Sequence, residues 1–216
     1  MVNNFAVLGL GTFGARMTEK LCSFGHNVLA IDVDPDKVNS FKNRVTESLI
    51  ADVSNANVLK GIDIKRFDSI ILSLGDDFED LVMAITHLKQ EGANNVVAKA
   101  NTELQKNILM RIGADEVIMP ERDVALRLAK RLSLSNISNI FELKGYILAD
   151  VNVPKTMNGK SIVELDLRNR HNLIILLVKK PNSEPEFIVD PKMKLFVGDE
   201  LAVIGKEKNI IKVFNA

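Results

Sequence analysis

Gly9-Leu10-Gly11-Thr12-Phe13-Gly14 follows directly on the apolar run Phe5-Ala6-Val7-Leu8, and a helical pattern opens at Thr12. A second apolar run, Val28-Leu29-Ala30-Ile31, ends in Asp32, 18 residues beyond Gly14. These residue types suit anion recognition rather than covalent chemistry. Glycine at 9 permits a tight exit from a strand, glycine at 11 leaves the backbone open to a phosphate, and glycine at 14 lets a helix pack closely on a sheet. Unpaired N–H groups at the helix start and the helix dipole then face the anion. A carboxylate ending the next strand accepts hydrogen bonds from ribose hydroxyls and repels a 2′-phosphate. The spacing predicts a site for the pyrophosphate and ribose of an adenine nucleotide, with NADP disfavoured. The competing reading is a glycine-rich turn that holds no ligand.

Such a site needs a sheet behind it, and the chain supplies the grammar of one. The first helix runs from about Thr12 to Phe24, with Phe13, Met17 and Leu21 on one face, and Gly25 ends it. Asp34-Pro35 opens a helix to about Phe41, as proline at a first turn favours. Strands follow at Ser48–Ala51, Ser69–Leu74, Val96–Lys99 and Glu116–Met119, with helices at Ser54–Lys60, Phe78–Gln90 and Leu104–Arg111 between them. Alternation of this kind predicts an α/β fold, a Rossmann-like doubly wound parallel sheet. A helix from near Glu121 carries Val124, Leu128 and Leu132 at a spacing of four, as ordinary core or as a contact face.

The pattern then fades into Ser133-Leu134-Ser135-Asn136-Ile137-Ser138-Asn139, which is read as the domain boundary, between 134 and 135. Beyond it strands are expected at Tyr146–Val153, Leu173–Val178, Glu186–Val189 and Glu200–Ile204, with short helices at Ser161–Leu165 and Lys206–Val213. This predicts a second, smaller α+β domain.

Composition narrows the function classes. Lys plus Arg and Asp plus Glu are 28 each, so nothing draws the chain in bulk toward nucleic acid or anionic lipid. Apolar runs fall far short of the roughly 20 residues that span a bilayer. The early first strand leaves no room for a signal peptide, and a lone cysteine, Cys22, excludes an intrachain disulfide framework; the expected compartment is the cytoplasm. A NAD-dependent oxidoreductase remains the alternative, and it needs a proton-moving His, Lys or Tyr over its cofactor. His26 precedes a strand, His87 lies within a helix, His171 stands beside Arg168 and Arg170, and there is one tyrosine. No GxSxG, HExxH or GxxxxGK[ST] occurs either. The expectation is a sensor and not an enzyme.

Four runs carry a family resemblance. Gly9–Gly14, Ala51-Asp52-Val53-Ser54, Val97-Ala98-Lys99-Ala100 and Ile112-Gly113-Ala114-Asp115-Glu116-Val117-Ile118-Met119-Pro120-Glu121 occur in that order. Together they resemble the RCK domain (regulator of potassium conductance) of Ktr/Trk potassium-uptake systems, with its TrkA-N part. The stretch from Gly159 to Arg168 and the run Val197-Gly198-Asp199-Glu200-Leu201 are similar to the TrkA-C part. The resemblance implies a cytoplasmic regulatory subunit, peripheral to the membrane, that gates a membrane potassium-translocating subunit. It implies homodimers, joined through the helix from about 121, that assemble into an octameric ring, and a bound adenine nucleotide, ATP or ADP in Ktr-like members and NAD(H) in Trk-like ones.

Carried over residue by residue, the resemblance gives Gly9, Gly11, Thr12, Phe13 and Gly14 the phosphates, Asp32 the ribose, and Asp52 and Val53 the flanks of the adenine. Ser73, Leu74 and Gly75 line the cleft, Lys99 reaches a phosphate, and Glu121 joins a divalent cation, Mg²⁺ or Ca²⁺, at the terminal phosphates. Read as residues alone, Asp52 is equally a helix cap, Lys99 a surface charge and Glu121 an acid favoured by a helix dipole. Ktr-type members often carry Arg directly after the second glycine, where this chain has Thr12; Arg16 either compensates or is a solvated charge. The resemblance also implies a second ligand, c-di-AMP, between paired C-terminal domains at Ile162, Val163, Arg168, Asn169 and Arg170.

Overall fold

The computed structural model describes residues 1–75, 77–134, 136–184 and 189–214. The chain divides into two compact units, Met1–Arg122 and Asp123–Ala216.

In the first unit β1 (Asn4–Leu8), α1 (Thr12–Ser23), β2 (Asn27–Asp32), α2 (Pro35–Phe41), β3 (Glu47–Ile50) and α3 (Ala56–Lys60) alternate. They continue as β4 (Ser69–Leu72), α4 (Phe78–Gln90), β5 (Val96–Lys99), α5 (Glu103–Ile112) and β6 (Glu116–Ile118). The described strands pair in parallel in the order β3-β2-β1-β4-β5-β6, the doubly wound sheet expected. The order reverses between β1 and β4, and a crevice opens there beyond the strands' carboxyl ends.

Both faces of the sheet are covered, which explains why its strands read as continuous apolar runs. Ala6, Leu8, Leu29, Ile31, Ile70 and Leu72 face one cluster with Leu81, Ile85 and Leu88 of α4 and Leu109 of α5. Val7, Val28, Ala30 and Ile71 face the other with Val38 and Phe41 of α2, and Phe13, Met17 and Leu21 of α1 pack against it. Each fully buried Leu or Ile contributes roughly 1.5–3 kcal/mol. Cys22 is half-buried at the edge of this second cluster, where burial raises its thiol pKa.

Helix α6 (Pro120–Ser133) buries none of its residues, and Val124, Leu128 and Leu132 are exposed. Its apolar stripe is not core of the chain.

The second unit is an antiparallel sheet in the order β7-β8-β10-β9, formed by β7 (Ile137–Leu143), β8 (Tyr146–Asn152), β9 (Ile174–Lys179) and β10 (Glu200–Gly205). Helices α7 (Ile162–Leu165), α8 (Leu167–His171) and α9 (Glu207–Phe214) accompany it, and Ile210 and Phe214 of α9 are fully buried in its core. Strand β7 begins inside the Ser/Asn-rich stretch that reads as a boundary and takes its last three residues, Ile137 to Asn139. Asn139 at φ +45° accompanies a register shift between Ser138 and Phe141, and this breaks the alternation that marks a strand. Helix α8 also escapes the sequence reading, because its five residues lie between left-handed Asp166 (φ +46°) and Asn172 (φ +53°). The strand expected at Glu186–Val189 lies outside the described residues except at Val189.

Candidate functional site

Three glycines of the first turn answer to three different constraints. Gly9 has φ +95°, and a Cβ there would fall 2.3 Å from the Ser73 carbonyl oxygen, so any side chain collides with the β4 exit. A Cβ on Gly14 would fall 1.9 Å from the Gly9 carbonyl oxygen, which lets α1 sit tightly on the turn. Gly11 has φ −65°, open to any residue, and nothing lies within 4 Å of a Cβ built on it. The protein itself therefore gives no reason for glycine at 11, and what remains is clearance for an approaching group. Gly11 is also the N-cap of α1, and no side chain caps that helix. The first-turn N–H groups are left without a side-chain partner, at residues 11–13 that line the crevice.

A cavity of about 370 Å³ opens at this point. Of the residues expected to hold nucleotide, Gly9, Gly11, Thr12, Phe13, Asp32, Asp52, Val53, Ser73, Leu74, Gly75, Lys99 and Glu121 line it; Gly14 does not and is taken up by helix packing. Ile31, Val33, Lys37, Ala51, Asp77 and Asp80 line it as well and were not foreseen. Lys37 was within reach of sequence reasoning, since Asp34-Pro35 sets it in the first turn of a helix just past Asp32. Asp77 was too, as the acid before a long helix: its carboxylate accepts from the Glu79 N–H at 3.0 Å.

Asp32 is buried, and its carboxylate does structural work first. Oδ2 accepts from the Leu10 N–H at 2.6 Å, and Oδ1 accepts from the Asp34 N–H at 2.9 Å. This ties the glycine turn to the end of β2. A carboxylate has about four acceptor positions, so capacity remains for a ligand. Asp52 accepts from the Ser54 N–H at 2.9 Å and from its hydroxyl at 2.7 Å, a local turn at the cavity edge. Across the cleft, Lys99 at the end of β5 meets Glu121 at the start of α6, Nζ to Oε1 2.6 Å. The hydrogen bond from Lys99 holds the Glu121 carboxyl below its ordinary range.

The wall carries five carboxylates, Asp32, Asp52, Asp77, Asp80 and Glu121, against two amines, Lys37 and Lys99. An anion entering here depends on the α1 amides and those lysines, or brings a cation with it. Among the described residues no group of three or more His, Cys, Asp or Glu is placed to cage a metal. Arg16 is 80% exposed, pairs with Glu19 at 2.8 Å and is not among the lining residues. The lining holds no His, Tyr or Cys among the described residues.

The residues expected at a second ligand are not gathered into one cavity. Ile162 and Val163 belong to α7, and Arg168, Asn169 and Arg170 to α8. Asn169 donates to Asp166 at 2.6 Å. Arg170 alone of the five lines an open depression, with Lys160, Glu164 and His171.

Residues 5–120 match the TrkA-N domain and residues 148–216 the TrkA-C domain. Ktr system potassium uptake protein C of Bacillus subtilis (strain 168) is 30% identical over 213 residues, covering 97% of this chain and 95% of that protein. Among solved structures, the GsuK RCK domain superposes with a TM-score of 0.66 at 16% identity, over 100% of this chain and 48% of its own. The GsuK channel bound to NAD gives 0.67 at 17% identity, over 99% of this chain and 39% of its own. The chain spans nearly the whole of the Bacillus relative but under half of either solved chain, and the likeness to those chains is one of fold.

Proposed function

The chain belongs to the RCK family, carrying a TrkA-N and a TrkA-C domain in order, and from that premise we propose that the cleft over β1 binds an adenine nucleotide and reports its identity to a potassium-translocating partner. It is a nucleotide-sensing regulatory subunit of a Ktr/Trk-type potassium-uptake system. The ligand is ADP or ATP, or NAD(H). That a channel of this fold is described bound to NAD supports the class. The observation carrying the reading is the uncapped first turn of α1 at Gly11, with open space where a side chain would stand.

Each cleft residue expected to hold nucleotide has a part. The α1 amides take phosphate oxygens through aligned dipoles, Asp32 accepts from the ribose, Asp52 and Val53 flank the base, and Ser73 to Gly75 close the β4 side. Lys99 exchanges Glu121 for a terminal phosphate, and Glu121 then holds Mg²⁺ or Ca²⁺ together with the phosphates. The functional N-terminal domain extends to residue 134, because Glu121 belongs to α6. The exposed stripe of α6 joins two copies, and dimers close into an octameric ring on the cytoplasmic side of a membrane subunit. Among the described residues no helix is long and apolar enough to cross a membrane, so that partner carries the ion. Regulation proceeds without turnover: a ligand shifts the ring only by its differential affinity for two states. A second ligand, c-di-AMP, meets paired C-terminal domains at Ile162, Val163, Arg168, Asn169 and Arg170, where the planar Arg fork suits a phosphodiester.

Calorimetric titration with ADP, ATP and NADH, joined to the mass in solution with each ligand, tests this. Saturable binding by at least one, on an oligomer larger than a dimer, is expected. Silence with all three, or a monomer throughout, overturns it, while steady NAD turnover would point to the oxidoreductase.

A further inference from the structure

Lys37 is the third residue of α2, lines the cleft beside Asp32 and belongs to none of the roles above. Its Nζ lies 3.6 Å from Asp32 Oδ1 and 3.8 Å from Asp34 Oδ2, and its side chain is half exposed. Both separations are looser than a charge-assisted hydrogen bond, and among the described residues no hydrogen bond fixes this amine. An ammonium group carries three donors. The sugar end of the cleft therefore offers spare acceptor capacity on Asp32 and uncommitted donors on Lys37, side by side on one wall.

In dinucleotide-binding folds a cation near the acid that ends the second strand raises the possibility of a 2′-phosphate. Here the balance goes the other way. Two carboxylates, Asp32 and Asp34, flank one amine, so the local charge stays at net −1. A 2′-phosphate would add about two negative charges to that. A free cis-diol fits instead, because each hydroxyl both donates and accepts: one gives its proton to Asp32 while the oxygen of the other accepts from Lys37.

We propose that Lys37 is a specificity-determining residue of the sugar end: beside Asp32 it donates to a free 2′,3′-diol, while the two carboxylates that outweigh it, Asp32 and Asp34, refuse a 2′-phosphate. The inference rests on the nucleotide reading of the cleft and sharpens it. The test uses the full chain, with calorimetric titration of ADP, 2′-deoxy-ADP and 3′-deoxy-ADP into wild type, Lys37→Met and Lys37→Arg, and melting curves to verify folding. Lys37→Met should weaken ADP about tenfold, and should cost nothing further on whichever deoxy analogue lacks the contacted hydroxyl. Lys37→Arg should keep most of the affinity, and wild type should favour NADH over NADPH.

ADP binding by Lys37→Met equal to wild type overturns the proposal. So does an equal loss on all three ligands, which would mark a distant charge effect, and so does NADPH binding as tight as NADH. Wild type that binds no adenine nucleotide at all defeats the functional reading itself, so the two failures are distinct.

Discussion

Lys99–Glu121 in the first unit and Lys180–Asp199 in the second are the same chemistry at the same 2.6 Å separation. Their surroundings put them to opposite uses. The Asp199 side chain is 3% exposed, and the same Oδ2 accepts from the Phe196 N–H at 2.8 Å. Lys180 donates again to the Lys194 carbonyl at 2.9 Å and lies over the Phe196 ring. Every charge there closes one turn of the C-terminal fold. Glu121 is 66% exposed on a cavity wall, and Lys99 faces the mouth where α1 leaves its amides uncapped. An ion pair can serve a ligand only where its environment leaves it able to change partners.

The largest contrast should appear in stability. Asp199→Ala leaves the Phe196 amide and the Lys180 amine without their shared acceptor in a buried turn, and should cost about 3 kcal/mol. Glu121→Ala should cost no more than about 0.5 kcal/mol. Urea denaturation measures both, and equal losses would erase the distinction drawn between the pairs.

Ligand affinity should reverse the ranking. Lys99→Met removes one of two cavity cations and should weaken ADP binding about tenfold, near 1.4 kcal/mol, with little change in melting. Asp199→Asn, if it folds, should bind ADP as wild type does. A Lys99 variant with unaltered affinity would return that residue to an ordinary surface charge.

The smallest effects separate by pH. The Lys99 hydrogen bond holds the Glu121 carboxyl below its ordinary 4.5. Its contribution is therefore complete above that value and lost as pH falls through the depressed one. In the second unit Lys130 is raised above 10.5, first by the hydrogen bond it donates to Glu142 and next by its bond to Glu207, against the opposing effect of burial. Its contribution is complete below 10.5 and lost as pH rises through the raised value. Glu121→Gln should lower stability at neutral pH by an amount that vanishes as pH falls through the depressed value, and Lys130→Met by an amount that vanishes as pH rises through the raised one, so that each variant flattens one limb of the stability profile. Changes on the opposite limbs would contradict these assignments.

The two units also differ in how far the sequence discloses them. Strands buried on both faces, with helices between, spell their own order, so the parallel sheet is readable, and the family resemblance adds twelve of the eighteen residues that line its cleft. Proline at 35 and the acid at 77 announce their helices for steric and capping reasons. Asp34-Pro35 places Lys37 in the first turn of α2, whereas no spacing encodes that Asp32 is already tied to the Leu10 and Asp34 amides beside it. In the second unit left-handed Asn139, Asp166 and Asn172 interrupt the periods that pattern reading depends on. The fate of α6 is likewise beyond pattern: an apolar stripe at helical spacing looks the same whether it meets the chain's own core or another copy.

Gly11→Asp probes the central claim most directly, because fold and ligand ask opposite things of that position. The backbone there accepts a side chain and the space is open, and an N-cap aspartate should leave stability level or raise it by about 0.3 kcal/mol. The same carboxylate stands where a phosphate must come. Titrated with ADP beside wild type, the variant should melt at the same temperature or slightly higher and bind nothing measurable. A variant that melts normally and binds ADP with undiminished affinity would contradict a nucleotide seated at the start of α1.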